Sequence, residues 1–177
     1  MLIPGKSVPE LKIETLGHGT FDLDRDHGEN GTLVINYRGL HCPICIRQMG
    51  EVEEALDDFA ELGIEVIMIS TDTGERAGQT VEKAGTSRLR VGHDLPLAEA
   101  RDKWGLYLSE GREGTAEAPF FAEPGHFFIA PDRTLYFGWT QSTPFARPSI
   151  ADIKGGIKYA LDNKYPPRGT YTGPIAA

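Results

Sequence analysis

At 177 residues, with 40% hydrophobic and 25% charged residues, the chain has the size of one domain on a prior of ~150 residues per domain, and its longest apolar runs fall far short of a bilayer span. Lys and Arg number 18 against 26 Asp and Glu, a net charge of -8 at pH 7, and no basic cluster is present to neutralise phosphates, so neither nucleic acid nor an anionic membrane is an expected partner. Only two cysteines occur, which excludes a secreted disulfide scaffold, and the N-terminus lacks the pattern of a secretory signal, so a cytoplasmic location is expected.

Residues Leu11 to Asp24 predict two short strands around Gly17-His18-Gly19, because Leu11, Ile13 and Thr15 alternate with polar neighbours. Leu33 to Tyr37 is a nearly continuous apolar run, the pattern of a strand covered on both faces. Cys45, Met49, Val52, Leu56 and Phe59 then recur at helical spacing and predict an amphipathic helix ended by Gly63, with the acidic residues from Glu51 to Glu61 as its solvated face. Ile64 to Ile69 reads as a second buried strand, which completes a parallel, right-handed strand-helix-strand crossover.

Two short helices are expected next, Glu75 to Ala84 and Leu95 to Trp104, the second capped by Asp94. Ser109 to Gly125 is rich in Gly and Pro and reads as a loop. His126 to Ala130 and Thr134 to Trp139 form a hairpin across Pro131-Asp132-Arg133. Ser149 opens a final helix with the stripe Ile150, Ile153, Ile157 and Leu161, and Ser149 with Asp152 resembles a capping box. Pro166 and Pro167 stop it, leaving residues 164–177 as an extended tail. Residues 1–177 thus read as a single α/β domain, a mixed sheet flanked by helices with an N-terminal hairpin. Trp104, Tyr136 and Trp139 read as packing residues, and His93-Asp94 as a loop and cap.

In open α/β sheets, sites gather beyond the carboxyl ends of parallel strands, and Arg38-Gly39-Leu40-His41 leads from such an end to Cys42-Pro43-Ile44-Cys45. Pro43 suits the first helical position, which makes Cys42 the N-cap and Cys45 the third helical residue. Unpaired amides and the positive end of the helix dipole would then favour a Cys42 thiolate, the candidate nucleophile, while Cys45 on the apolar stripe is the candidate resolving thiol. Arg38, and His41 when protonated, add positive charge beside Cys42. Two other readings stay open: inert thiols, or half of a metal site completed by a distal histidine such as His126. Zinc usually takes four ligands, however, and the histidines at 18, 27, 41, 93 and 126 show no ligand spacing.

Asn36-Tyr37-Arg38-Gly39-Leu40-His41-Cys42-Pro43-Ile44-Cys45, followed by Ile67-Met68-Ile69-Ser70 and Pro124-Gly125-His126-Phe127-Phe128-Ile129, resembles the thioredoxin-like superfamily and, within it, the AhpC/TSA (peroxiredoxin-like, redoxin) group. The resemblance covers residues 8 to 163 and implies a thioredoxin-like fold and an antioxidant-type oxidoreductase. It further implies a peroxide or disulfide substrate, a Cys42–Cys45 disulfide in the cycle, an external thioredoxin- or glutathione-like reductant, no cofactor, and a possible homodimer. It makes Pro124 a cis-proline facing the cysteines, with the backbone of Glu123 offered to substrate. The chain departs from the pattern where peroxiredoxins carry Pro and Thr/Ser, here Ile35 and Gly39, and where thioredoxins carry a buried Asp, here Asn36. Arg38 is expected to replace the missing hydroxyl by donating to a peroxide or sulfenate oxygen. Resolution by Cys45 would need another base, such as Glu123, His126 or water. The alternative activity is thiol-disulfide reduction.

Overall fold

The computed structural model describes residues 2–175. The elements run β1 (Lys12–Thr15), β2 (Gly19–Asp22), β3 (Gly31–Asn36), α1 (Pro43–Glu54), α2 (Leu56–Glu61), β4 (Ile64–Ile69), α3 (Gly74–Ala84), β5 (Arg90–Gly92), β6 (Leu108–Glu110), β7 (Phe120–Ala122), β8 (Gly125–Ile129), β9 (Leu135–Thr140) and α4 (Ile150–Asn163). Seven strands form one mixed sheet in the order β2-β1-β5-β4-β3-β8-β9, and β6 with β7 makes a separate ribbon. Strand β3 runs parallel to β4 and antiparallel to β8, so all six of its residues are buried.

The two-residue period of the strands sorts their side chains into two cores. Leu33, Ile35, Val66, Met68 and Phe128 pack with Met49 and Val52 of α1, Ala77 of α3, and Ile153 and Ile157 of α4. Val34, Ile67, Ile69, Phe127 and Ile129 face the opposite way, against Leu95, Ala100, Trp104 and Leu106. The double coverage expected from Leu33 to Tyr37 is therefore real. Its consequence is that β3 cannot slide, and neither can the loop leaving its carboxyl end.

Several expectations need correction. The long helix is broken at Ala55, whose N–H turns back to Val52 O in a tighter bond before α2 begins. Glu53 is not on a solvated face: its carboxylate accepts the backbone N–H groups of Ser87, Arg88 and Leu89, at 3.0–3.1 Å for the first two and 2.8 Å for the third. Those contacts hold its pKa down against the upward push of burial. Asp94 does not cap the segment after it. With φ of 57°, it accepts the N–H of Gly74 at the start of α3 instead. The helix expected from Leu95 to Trp104 is present over residues 97–103 but widens to a π-helix at Glu99–Lys103, between the buried Leu95 and Trp104. The loop from Ser109 to Gly125 contains β7, paired with β6 through Ser109 and Phe121.

Ser149 Oγ does accept the Asp152 N–H at 3.0 Å and caps α4. Beyond α4, the Tyr165 carbonyl accepts from the Tyr136 hydroxyl, and the methyl of Thr170 lies against Gly5. Residues 176 and 177 of the expected tail, like Met1, lie outside the described residues. No helix among the described residues is long and apolar enough to cross a membrane.

Glu53→Ala leaves three amides without their acceptor and is expected to lower unfolding stability by about 2 kcal/mol, measured by urea denaturation at neutral pH. Because the folded-state pKa is depressed, the carboxylate's contribution is present above the ordinary carboxylate range and lost as pH falls through it. The gap between variant and wild type should close in acid.

Candidate active site

Strand β3 ends at Asn36, and the five residues after it carry the chain to the start of α1. Gly39 makes this turn possible. Its φ is +126°, and a Cβ there would stand 2.6–3.0 Å from the carboxyl of Asp72. That carboxyl is buried beyond the end of β4; it accepts the Leu40 N–H at 2.7 Å and pairs with Arg76 Nε at 2.9 Å. The turn closes with Cys42 N–H on Gly39 O at 3.0 Å. Gly39 fills the slot where the resembled pattern carries a hydroxyl, so Asp72 is the physical reason that no side chain stands there.

Cys42 is the N-cap of α1 and Pro43 its first residue, as the spacing predicts. Cys42 Sγ accepts the backbone N–H of Cys45 at 3.3 Å. Both thiols are free. Both are buried, Cys42 to 2% exposure and Cys45 completely, and Cys42 alone of the two lines a cleft of about 480 Å³. The cleft is lined by apolar Pro43, Ile44, Phe121, Pro144 and Phe145 and by polar Arg38, Ser109, Glu110, Arg112 and Glu117.

The electrostatics separate the thiols further. Cys42 is pushed down to about 6, chiefly by a hydrogen bond from the Cys45 thiol, with the Cys45 amide and the charges of Arg147 and Arg38 assisting against burial. Cys45 is driven upward, first by burial and then by the adjacent Cys42 thiolate. One thiol is thus favoured as the thiolate while the other holds its proton.

Arg147 is the residue that sequence reasoning missed. Its Nη2 lies 3.0 Å from Cys45 Sγ and 3.5 Å from Cys42 Sγ, and its Nη1 donates to the carbonyls of Ala146 and Pro144. The one available signal was its position just before the Pro148-Ser149 helix start, which folds back over α1 when α4 packs on the sheet. Gln48, one turn along α1 from Cys45, donates to Pro148 O at 3.4 Å and helps hold that segment.

The other expected site residues fall in different places. Arg38 shares the cleft with Cys42, lies over the Phe121 ring at 4.8 Å, and pairs with Glu123 through Nε at 2.9 Å. His41 does not act as a cation: burial, assisted by the Arg38 charge, lowers its pKa, and its ring packs on Phe121 with centroids 4.5 Å apart. Pro124 is not cis; the described residues contain no cis peptide bond. Glu123 N–H bonds to Tyr107 O and its carbonyl accepts Asn36 Nδ2. Both backbone groups of Glu123 are therefore committed, and its carboxylate is shared between Arg38 and Ser109. His126 is buried on β8 against Gln48, with its pKa lowered to about 4 by burial and the Arg147 charge. Among the described residues, no three His, Cys, Asp or Glu side chains group as a metal site.

Comparison with known proteins follows this geometry. The model of the AhpC/TSA family matches residues 4–137, which include both cysteines but not Arg147. No curated protein matches the sequence. Among solved structures, peroxiredoxin 6 of Arenicola marina superposes with a TM-score of 0.74 at 16% identity, covering 93% of this chain and 76% of its own. Peroxidoxin BcpB of Mycobacterium tuberculosis gives 0.71 at 17% identity, with 91% and 99% covered. AhpC of Enterococcus faecalis gives 0.71 at 13% identity, with 98% and 100% covered. At these identities the likeness establishes the thioredoxin-like fold.

Two measurements test the site. Iodoacetamide labelling of the reduced protein is expected to modify one thiol, Cys42, with a midpoint near pH 6, and to leave Cys45 unlabelled through neutral pH. Gly39→Thr, which restores the pattern's hydroxyl, should destabilise the fold by more than about 1 kcal/mol in denaturant titration, because it forces a β-branched residue to positive φ against a carboxylate.

Proposed function

The chain belongs to the AhpC/TSA family and is an oxidoreductase, and on that premise we propose that it reduces peroxides, with Cys42 as the attacking and Cys45 as the resolving thiol. The observation that carries this reading is the division of labour between two thiols three residues apart. Cys42, buried but lining the cleft, is favoured as the anion, and Cys45, wholly buried and absent from the cleft lining, keeps its proton.

The proposed cycle starts when the Cys42 thiolate attacks one peroxide oxygen. The S–O bond forms, the O–O bond breaks, and the departing alkoxide or hydroxide takes a proton to leave as alcohol or water. Cys45 then attacks the Cys42 sulfur. The Cys42–Cys45 disulfide forms, and the sulfenic hydroxyl leaves as water with the Cys45 proton. An external thiol donor, thioredoxin- or glutathione-like, restores both thiols. No cofactor takes part. Arg38, on the cleft beside Cys42, donates to the peroxide oxygen in the place of the absent hydroxyl. The thiol-dependent cycle suits a reducing compartment such as the cytoplasm.

Thiol-disulfide reduction is the second reading. Ile35 is wholly buried in β3 and Gly39 has no side chain, so the slots around Cys42 lack the proline and hydroxyl that shape a peroxide pocket in the resembled pattern.

Stopped-flow oxidation of the reduced protein separates the two. With hydrogen peroxide, Cys42 is expected to react faster than free cysteine, and Cys45→Ser should accumulate a sulfenic acid that dimedone traps. Arg38→Met should slow the peroxide step about tenfold, the rate equivalent of one lost charge-assisted contact. A peroxide rate no better than that of free cysteine, together with fast reaction at a small disulfide, would establish the second reading instead.

A further inference from the structure

The resolving step poses a problem. Cys45 must become a thiolate to attack, yet it is buried, and burial opposes its ionisation. The sequence offers Glu123 and His126 as bases, and both are occupied elsewhere. The Glu123 carboxylate is shared between Arg38 and Ser109. The His126 Nε2 accepts from Gln48, and its pKa lies well below neutrality. Asn36 cannot titrate, and its amide is donated to Glu123 O.

Arg147 stands where a base would otherwise be sought. One guanidinium nitrogen reaches both sulfurs and lies nearer to Cys45, at 3.0 Å, than to Cys42, at 3.5 Å. Carbonyls of the segment before α4 hold the guanidinium there, so no reorganisation is required when charge moves.

We propose that Arg147 is a catalytic residue of the resolving step: in the dithiol state it supports the Cys42 thiolate, and once that charge is consumed it stabilises the thiolate of Cys45 as Cys45 attacks the Cys42 sulfur. This rests on the reading of Cys45 as the resolving thiol. The proton needs no side-chain base. In the dithiol state it lies between the two sulfurs, and after oxidation it leaves on the departing group. What the step requires is a cation beside the anion that forms at Cys45, and Arg147 supplies it. The other groups facing Cys45 are Cys42 on its own helix and Tyr37 and the Arg38 backbone at the end of β3; His126, against Gln48, feels the charge of Arg147.

The test bypasses peroxide. Full-length reduced protein is mixed with dithiodipyridine, which is itself reduced as it releases one absorbing thiopyridone per step. Cys42 displaces the first and becomes a mixed disulfide with the pyridyl sulfur. Cys45 displaces the second and closes the Cys42–Cys45 disulfide. Wild type should show both phases. Arg147→Met should slow the second phase by about ten- to a hundredfold and move its pH midpoint upward. The first phase should slow less, because Cys42 keeps the Cys45 amide and Arg38. Arg147→Lys should restore most of the second phase. Circular dichroism verifies folding, and Arg147→Gln replaces Arg147→Met under the same criteria if the latter does not fold. An unchanged second phase, or equal slowing of both, overturns the role of Arg147. A wild type without any second phase overturns Cys45 as the resolving thiol, and this role with it, whatever its reactivity toward peroxide.

Discussion

The first turn of any helix leaves backbone amides without acceptors inside the helix, and they must bond to something else or lose stability. In this chain the acceptor for the Cys45 amide is the sulfur of Cys42. A carboxylate or hydroxyl at an N-cap would serve the helix equally well. A sulfur serves it while becoming easier to ionise, because the same amide stabilises the anion. Helix capping and stabilisation of the Cys42 thiolate are here one interaction, and it works only if α1 starts at Pro43 and the turn before it delivers the Cys42 sulfur to the Cys45 amide. The burial of β3, the glycine turn, and the amide held by Asp72 all secure that placement.

The asymmetry of the two thiols follows from three residues of spacing on a helix with one buried face. Cys42 ends the loop and meets the cleft. Cys45 begins the apolar stripe and, like the buried part of Cys42, belongs to the core, but it does not line the cleft. The acidity of one is tied to the retained proton of the other, so neither can be described alone. Arg147 reaches this pair from outside the segment that the family model matches. A long-range contact therefore completes a constellation that local sequence begins.

That difference in range also governs what could be read from the sequence. The central strands, α1 up to its break, the β8–β9 hairpin and the cap at Ser149 were legible because each rests on periodicity or on a turn of a few residues. Cys42 and Cys45 were assigned to cap and stripe by the same means. Glu53 misled because its spacing marks a solvated face, while its partners at 87–89 are distant in sequence. Pro124 misled because the motif around it fits a cis-proline, whereas its peptide bond is trans and Glu123 before it is bonded to Tyr107. β5 is too short to show a period, and β6 and β7 are masked by the glycines and prolines between them. Arg147 carries no local signal of its target, since its proximity to the thiols exists only after α4 has packed.

The contact between Gly39 and Asp72 also constrains how this sequence can change. A side chain at position 39 meets the carboxylate, and loss of the carboxylate releases the Leu40 amide and Arg76 while 39 is still glycine. Neither substitution is neutral without the other. Positions 39 and 72 are therefore coupled: a hydroxyl three residues before Cys42 cannot be introduced without also displacing the carboxylate that holds the turn.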